Sequence, residues 1–197
     1  MKTYQSELLM VASRLLSYPS GNDENDVMNC VEEMNVSETL KQEVWNAANA
    51  VYRIPLHDLQ EIYVSTFDLK EKLGLYLSAH EFGDSPKRGA ALIKLQKAVN
   101  QAGYERVDDE LADYIPMLYE LVAITSDKVN HERLIKRLSA VTQRIMDHLP
   151  ETSPYYPIMQ ALMENVFEAP SKEDLEKMEQ QREKADLEEL PYPIMYT

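Results

Sequence analysis

The sequence predicts an all-α fold: a single-domain helical bundle or globule of about eight to ten helices. Apolar residues recur at spacings of three and four along most of the chain, which is the period of a helix and not the alternation of a strand. Glycine is scarce, with five in 197 residues, and most glycines stand where a predicted helix ends. We therefore assign residues 1–170 to one helical domain and residues 171–197 to an acidic, flexible tail.

The first four helices are predicted from their apolar faces and their end signals. The first runs near residues 4–18 and stops at Pro19-Ser20-Gly21, and a short helix follows it. Ser37 is the predicted N-cap of the third helix, because its hydroxyl can accept a hydrogen bond from a free amide of the first turn. Pro55 opens the fourth. The apolar faces, in order, are Leu8, Ala12, Leu15 and Leu16; Val27, Val31 and Met34; Leu40, Val44, Ala47 and Val51; Leu59, Ile62, Tyr63 and Phe67.

The later helices are predicted in the same way. Ser85-Pro86 begins one helix, since serine can cap free amides and proline has none to leave unpaired, and Gly103 ends it. Pro116 costs a hydrogen bond unless it lies in a first turn, so we prefer Asp113 as the N-cap of the next helix; the alternative is a longer helix from Asp108 with a kink. The apolar faces are Leu92, Leu95, Val99 and Ala102; Leu111, Ile115, Leu118 and Val122; Leu134, Leu138, Val141, Ile145 and Leu149; and, after Ser153-Pro154, Met159, Leu162, Met163 and Val166.

The composition changes beyond Pro170. Residues 171–190 hold eight acidic and four basic side chains. Ser171 with Asp174 resembles a capping box, which allows a solvated helix. Such a helix has little apolar surface to bury, so we expect a frayed or disordered tail. Residues 190–196, with the sequence LPYPIMY, are typical either of a short docking segment or of a flexible chain end.

Charge and composition exclude several classes of protein. With 20 basic and 34 acidic residues the net charge is −14, which repels nucleic acid and anionic lipid and favours basic partners. No apolar run approaches the roughly 20 residues that span a bilayer, and the N-terminus does not resemble a secretory signal. Cys30, the only cysteine, excludes an intramolecular disulfide and fits a reducing compartment. We expect a soluble, cytoplasmic protein without direct membrane insertion.

The sequence shows no pattern for catalysis or for a metal. The histidines are scattered, and none has a histidine or cysteine partner at i+3 or i+4. His80-Glu81 lacks the second histidine of a zinc-protease helix, because Asp84 stands in its place. We expect no enzyme activity, no metal and no cofactor of its own.

The turn at residues 83–89 has the wrong spacing for a phosphate loop. Its amides, with Lys87 and Arg88, form only a weak candidate anion site at a helix start; the simpler interpretation is a helix entry with solvated basic side chains. Two alternatives remain for the whole chain. One is a nucleotide-dependent or cofactor-transferring enzyme that uses this turn, and the other is a structural subunit that stays in a complex.

A mixture of aromatic and acidic residues in two segments, 63–84 and 108–120, favours peptide binding. Aromatic walls with carboxylate rims suit an amphipathic peptide that carries arginine or lysine. The candidate peptide-binding residues are Tyr63, Phe67, Asp68, Tyr76, His80, Glu81, Asp84, Asp113, Tyr114 and Glu120.

Three stretches carry a family resemblance: YVSTFDLKEK at 63–72, YLSAHEFGDS at 76–85 and KRGAAL at 87–92. They resemble the nitrate reductase delta subunit family, the NarJ-type assembly chaperones, within the redox-enzyme maturation proteins. The similarity covers roughly residues 4–170. The wider family has an acidic–proline–acidic–histidine motif where this chain has residues 110–114. Asp113 matches an acidic position of this motif. Leu111 or Ala112 replaces its proline and Tyr114 replaces its histidine, as fits the NarJ branch. Glu120 falls where the family often has a glutamate.

The resemblance implies an all-helical cytoplasmic chaperone for respiratory nitrate reductase. Its client would be the unfinished catalytic α subunit, held by an N-terminal segment that is a remnant of a twin-arginine leader. The chaperone would keep the subunit open for insertion of the molybdenum cofactor, and its release would follow once the complex attaches to its membrane subunit. The chaperone would be a monomer or weak homodimer and no part of the finished enzyme.

From this role we expect a groove that binds the leader. Tyr63, Phe67, Tyr76 and Tyr114 would line it and receive the apolar side chains of the leader. Its basic groups would face the carboxylates of Asp68, Glu81, Asp84, Asp113 and Glu120, and the −14 charge would steer the leader towards them.

Overall fold

The computed structural model describes residues 2–103, 110–125 and 128–181, without the side chains of 128–131, 174, 177–179 and 181. Within these residues the chain forms α-helices, one π-helical segment and no β-strand, which confirms the all-α prediction. The helices are α1 (Thr3–Leu16), α2 (Glu24–Glu33), α3 (Glu38–Tyr52), α4 (Leu56–Tyr63), α5 (Leu77–Phe82), α6 (Lys87–Gln101), α7 (Ile115–Ile124), α8 (Lys128–His148), α9 (Tyr156–Asn165) and α10 (Lys172–Gln181); the π-helical segment is Val64–Asp68.

Helix α1 lies at the centre of the molecule. It packs chiefly against α7 and also touches α2, α3 and α9. Its residues Leu8, Leu9, Ala12 and Leu16 are fully buried, and Val11, Ser13 and Leu15 are buried as well, so the second half of the helix is enclosed on most of its circumference. The helices of the second half of the chain are thereby assembled around the first.

The predicted helix starts at two serines are confirmed. The Ser37 hydroxyl accepts a hydrogen bond from the Leu40 amide at 3.3 Å and caps α3. The Ser85 hydroxyl accepts one from the Lys87 amide at 3.3 Å at the start of α6. Both hydroxyls therefore satisfy an amide that has no partner within its own helix.

Helix α7 begins later than its apolar pattern alone indicates. It starts at Ile115 with Pro116 in the first turn, so the short helix is right and the longer, kinked one is wrong. The prediction of Asp113 as N-cap is also wrong, because Tyr114 holds that position. The Asp113 carboxylate instead binds Ser78, which lies on a different helix.

Two elements have no counterpart in the sequence-based prediction. Helix α4 continues into the π-helical segment Val64–Asp68, in which the Leu69 amide reaches back to the Val64 carbonyl at 3.2 Å. The six-residue helix α5 then follows Tyr76, whose backbone is extended. Both elements lie inside the stretch from Tyr63 to Asp84 that carries most of the candidate peptide-binding residues.

The structure differs from the expected tail over residues 172–181, which form α10. The Leu175 amide bonds the Ser171 carbonyl at 3.2 Å, and the partly buried Leu175 side chain packs against the core. Helix α10 contacts α5. Its few apolar side chains therefore have a packing partner, which the sequence of α10 alone does not reveal. The predicted docking segment at 190–196 lies outside the described residues, and the domain boundary at 170 stays a prediction. Nowhere in the described ranges is a helix both long and apolar enough to span a bilayer.

Candidate functional site

One short backbone pairing joins the two aromatic–acidic segments. The Leu77 amide donates to the Asp113 carbonyl and the Ile115 amide donates to the Leu75 carbonyl, each at 2.9 Å. These bonds form an isolated antiparallel bridge between Tyr76 and Tyr114. Because α5 follows one side of the bridge and α7 follows the other, the pairing places the starts of these helices next to each other.

The buried carboxylate of Asp113 strengthens this junction. It is fully excluded from solvent, and its Oδ2 accepts hydrogen bonds from the Ser78 amide at 3.0 Å and the Ser78 hydroxyl at 2.5 Å. The Arg88 guanidinium in turn donates to the Ser78 hydroxyl at 3.3 Å. Asp113 thus satisfies a first-turn amide of α5 from 35 residues away, and the negative charge is favourable at that helix end.

A pair of tyrosines fastens the same junction to the end of α1. The Tyr63 and Tyr114 hydroxyls lie 2.9 Å apart, and both reach the Leu16 carbonyl, at 3.3 and 3.4 Å. Leu16 ends α1, so its carbonyl has no partner within the helix. Burial raises the pKa of Tyr63, and it raises that of Tyr114 to about 12. Both hydroxyls therefore stay protonated at neutral pH and act as hydrogen-bonding ties.

The predicted groove walls are mostly core residues. The Phe67 ring centre lies 5.1 Å from that of Tyr63 and 4.9 Å from that of Tyr155. These three side chains are no more than 4% exposed. Such close, edge-on and tilted contacts are typical of a packed aromatic cluster. Only Tyr76, whose ring centre is 5.7 Å from that of Tyr114, keeps a partly exposed face.

Two exposed carboxylates lie close to Tyr76, and an exposed leucine follows each of them in the sequence. The Tyr76 hydroxyl donates to Glu110 Oε2 at 2.8 Å. Partial burial and the charge of Glu110 raise the pKa of Asp68, so these two carboxylates lie within electrostatic range of each other. Leu69 is 74% exposed and Leu111 is 41% exposed. We call these five residues, Asp68, Leu69, Tyr76, Glu110 and Leu111, the acidic–apolar surface.

The sequence-based site list contains Asp68 and Tyr76 but misses the other three members. Leu69 and Leu111 each follow a carboxylate residue and lie outside any helix. Leu111 was assigned to the buried face of a helix, whereas it lies exposed before α7. An apolar residue beside an acidic one in an irregular segment is only a weak sign of a binding surface in the sequence. The hydrogen bond between Tyr76 and Glu110 in the structure makes that sign interpretable.

Two predicted carboxylates are already paired within the protein. Glu81 on α5 accepts two hydrogen bonds from Arg137 on α8, at 2.6 and 2.7 Å, and both side chains are largely buried. Glu120 on α7 lies 3.5 Å from Arg14 on α1 in a more exposed setting. A basic group of a ligand would have to displace these arginines, which is harder for the two-pronged Glu81 pair.

The other predicted residues divide between the interior and the surface. His80 is buried, and its Nε2 lies 2.6 Å from the Gly74 carbonyl, so it holds the loop that precedes α5. Asp84 and Lys87 are exposed at the turn between α5 and α6, and Arg88 points towards Ser78 as described above. The anion-binding role of Lys87 and Arg88 stays a prediction.

Two shallow cavities lie along α2, away from the junction. One, of about 270 Å³, lies between α1 and α2 and includes Glu7 and Cys30; burial and nearby glutamates raise the pKa of that thiol. The other, of about 210 Å³, lies between α2 and α3 and includes Trp45. Neither is lined by a predicted peptide-binding residue. Among the described residues, no three histidine, cysteine or acidic side chains are grouped to hold a metal.

Comparison with known proteins reveals several relatives. No family model matches the chain. It is 29% identical, over 112 residues, to the probable nitrate reductase molybdenum cofactor assembly chaperone NarJ of Bacillus subtilis, covering 55% of this chain and 60% of that protein. It is 31% identical, over 120 residues, to the nitrate reductase molybdenum cofactor assembly chaperone NarJ of Escherichia coli K12, covering 58% and 50%. For the probable assembly chaperone NarW of the same strain the identity is 25% over 133 residues, covering 67% and 57%.

These similarities confirm the predicted resemblance to NarJ-type proteins. The matched region spans between half and three fifths of the length of each of the three relatives. Their names describe chaperones that assemble an enzyme, so the comparisons do not favour the enzymatic alternative.

Replacing Asp113 by alanine should strongly destabilise the fold. The Ser78 amide and hydroxyl would lose their acceptor in a buried position, at a cost of about 3 kcal/mol in the free energy of unfolding. Asp113→Asn keeps one acceptor oxygen and should cost less. Asp84→Ala removes an exposed carboxylate of the same region and should change stability by under ~0.5 kcal/mol. Urea unfolding measures all three; equal stability of Asp113→Ala and Asp84→Ala would contradict the assigned role.

The two ion pairs should differ in strength. A double-mutant cycle on Glu81 and Arg137, using glutamine at each position, should give a coupling of about 1–2 kcal/mol, because the pair is two-pronged and largely shielded from water. The same cycle on Glu120 and Arg14 should give about 0–0.5 kcal/mol, since that pair is longer and more exposed. Urea unfolding of the unaltered protein and the six variants provides the values, and similar couplings for the two pairs would refute this ranking.

Proposed function

We propose that this chain is a system-specific chaperone for respiratory nitrate reductase. It binds the apo catalytic α subunit, including its N-terminal leader-like segment, and supports molybdenum cofactor insertion and assembly before membrane attachment. The observation that carries this proposal is the similarity to NarJ and NarW, which are named as nitrate reductase molybdenum cofactor assembly chaperones. The chain acts in the cytoplasm and catalyses no reaction itself.

The acidic–apolar surface is the proposed contact with the leader. Leu69 and Leu111 offer exposed apolar side chains, and Tyr76 offers a partly exposed ring. Asp68 and Glu110 place two carboxylates beside them, and such groups bind arginine through charge-assisted hydrogen bonds. A basic amphipathic segment carries both kinds of complementary group. The net charge of −14 also attracts such a segment before contact.

The buried members of the predicted site position this surface. The ring of Tyr114 packs against that of Tyr76 and orients it. Tyr63 holds Tyr114 through its hydroxyl and packs against Phe67 in the core. Asp113 fixes the start of α5, and His80 fixes the loop before it. Substituting these buried residues should therefore weaken leader binding indirectly, by displacing the acidic–apolar surface.

The other predicted carboxylates differ in how easily they can accept a basic residue of the client. Asp84 is exposed and Glu120 is held loosely by Arg14, so both can accept a basic residue of a longer client segment. Glu81 can do so only by releasing Arg137, which also anchors α8. Asp68 and Glu110 of the acidic–apolar surface make the first contacts, and Asp84 and Glu120 extend that surface along α5 and α7.

Calorimetry with a synthetic leader peptide of the nitrate reductase α subunit tests the location. The double variant Asp68→Asn, Glu110→Gln should bind about tenfold more weakly, because each exposed ion pair contributes up to ~1 kcal/mol. The matched control is Glu38→Gln, Glu43→Gln, which removes the same charge from exposed positions of α3. Both changes weaken long-range steering alike, so the control should stay within about twofold of the unaltered protein. Equal losses in the two variants would show that only net charge matters and that the surface is misplaced.

A pull-down from nitrate-respiring cells tests the role itself. When synthesis of the molybdenum cofactor is blocked, the apo α subunit cannot be completed, so its complex with this protein should accumulate several-fold. In unblocked cells the complex should be transient and absent from the mature, membrane-attached enzyme. Co-purification with mature enzyme at constant stoichiometry would favour a permanent structural subunit instead.

A further inference from the structure

The two most exposed large apolar side chains among the described residues stand beside charges of opposite sign. Leu69 is 74% exposed and Ile93 is 72% exposed. Leu69 follows Asp68 in the acidic–apolar surface, whereas Ile93 lies on α6 with Lys94 next to it and Lys97 one turn further along. A single exposed apolar residue needs no explanation by itself. Two that lie in settings of opposite charge have complementary surroundings, which indicates that they belong to one contact.

The outer face of α6 combines this isoleucine with charge of one sign. The 15 residues of the helix include no aspartate or glutamate. Leu95 and Val99 are its buried residues, and it packs chiefly against α5. Successive residues of a helix lie about 100° apart, so the opposite side brings four exposed residues together within about 100° of arc. We call these residues the α6 strip: Ala90, Ile93, Lys94 and Lys97.

Helix α8 is also basic and also packs against α5, so positive charge alone does not distinguish α6. In α8, however, Glu132 and Asp147 interrupt the basic residues. Arg137 is bound to Glu81, and none of the described α8 side chains is a large apolar group exposed to solvent. The α6 strip differs from α8 because it combines an exposed isoleucine with two exposed lysines.

The acidic–apolar surface offers the groups that complement the α6 strip. Its two carboxylates lie within electrostatic range of each other, and its leucines and the Tyr76 ring are exposed wholly or in part. Lys94 and Lys97 are about 4.5 Å apart along the helix axis, so two neighbouring carboxylates can pair with both. The α6 strip therefore has the properties of a basic amphipathic segment, which is the class of ligand that suits this surface.

The positions of the two patches favour a second copy of the chain as the partner. The α6 strip faces outwards, because the buried Leu95 and Val99 occupy the opposite side of the helix. Tyr76 directly precedes α5, and α6 packs against α5, so both patches border the same short helix. Two copies related by a twofold axis can then form the contact twice, with each strip on the other copy's surface. Two weak contacts within one pair reinforce each other.

We propose that the α6 strip of one copy docks on the acidic–apolar surface of a second copy, and that the contact is reciprocal. Lys94 and Lys97 pair with the two carboxylates of that surface, and Ile93 lies against Leu69. The pair is weak, with a Kd on the order of tens of micromolar, because each exposed ion pair contributes little and the contact is small. Pairing covers the surface that we assign to the leader, so the two exclude each other. This last consequence rests on the proposed function, whereas the pairing does not.

Sedimentation equilibrium of the full chain tests the pairing. At physiological ionic strength the repulsion between two acidic molecules is largely screened, and the unaltered protein should show a monomer–dimer equilibrium. Lys94→Glu with Lys97→Glu should raise the dimer Kd at least tenfold. The matched control, Arg133→Glu with Lys136→Glu, changes the net charge equally at exposed positions of α8 and should stay within about twofold. A protein that stays monomeric at millimolar concentration, or equal losses in the two variants, would overturn the proposal.

Mixing two charge-reversed variants tests the reciprocal geometry. Lys94→Glu with Lys97→Glu gives a chain whose strip and surface are both acidic, and Asp68→Lys with Glu110→Lys gives one in which both are basic. Each variant alone should fail to pair, because both contacts then bring like charges together. An equimolar mixture should form a heterodimer at least tenfold tighter than either homodimer, since both contacts join opposite charges. Absence of the heterodimer would refute the assigned contact.

Hydrogen exchange of the unaltered chain needs no substitution. Raising the protein concentration through the dimer Kd should slow exchange of the amides in residues 90–97 and 68–69 several-fold, and unchanged exchange in either segment would overturn the docking.

A synthetic leader peptide separates this inference from the proposed function. Added to the dimer, the peptide should convert it into monomeric one-to-one complexes, and a peptide that binds the intact dimer would overturn the shared surface. Pairing without any leader binding would contradict only the proposed function. Leader binding without any pairing would overturn only this inference.

Discussion

The buried carboxylate of Asp113 is the interaction on which the arrangement of the second half of the chain depends. A carboxylate without solvent is costly unless it receives hydrogen bonds. Here Oδ2 receives both of its hydrogen bonds from Ser78, and the buried Oδ1 has no hydrogen-bond partner among the described residues. The need of the Asp113 carboxylate for hydrogen-bond donors therefore links residues 35 positions apart and brings α5 to the start of α7. The two backbone hydrogen bonds of the bridge add to it, and Arg88 extends the network to the first turn of α6. Three helices thus take their relative positions from one charged group.

The aromatic residues and the carboxylates have different tasks in this arrangement. The rings of Tyr63, Phe67 and Tyr155 are packed together inside the protein, where they contribute stability and a rigid base. The carboxylates of Asp68 and Glu110 remain in contact with water, where they can exchange solvent for a ligand. A client segment would therefore meet a preformed and charged surface, and little ordering of side chains would oppose binding.

Local sequence signals predicted the elements that depend on local interactions. The cap at Ser37 and the helix α1 with its apolar face follow from neighbours in the sequence, and the structure has them where they were expected. Helix α5 was missed because six residues are too few to show an apolar period, and because its start is stabilised by Asp113 from outside. Glu110 was missed as a site residue for the same reason, since its meaning comes from Tyr76. Helix α10 gains its packing surface from α5, which its own composition cannot show.

The π-helical segment at Val64–Asp68 has a consequence for how this surface can change. A π-helical turn is an α-helical turn with one additional residue, and each residue of an α-helix advances the chain by about 100° around its axis. The additional residue therefore rotates Asp68 and Leu69 relative to the side chains of α4, while Phe67 remains in the core. A one-residue deletion here would turn the acidic and apolar side chains to a different direction without altering their chemistry. Recognition could thus be retuned by chain length at a single point, independently of any change in residue type.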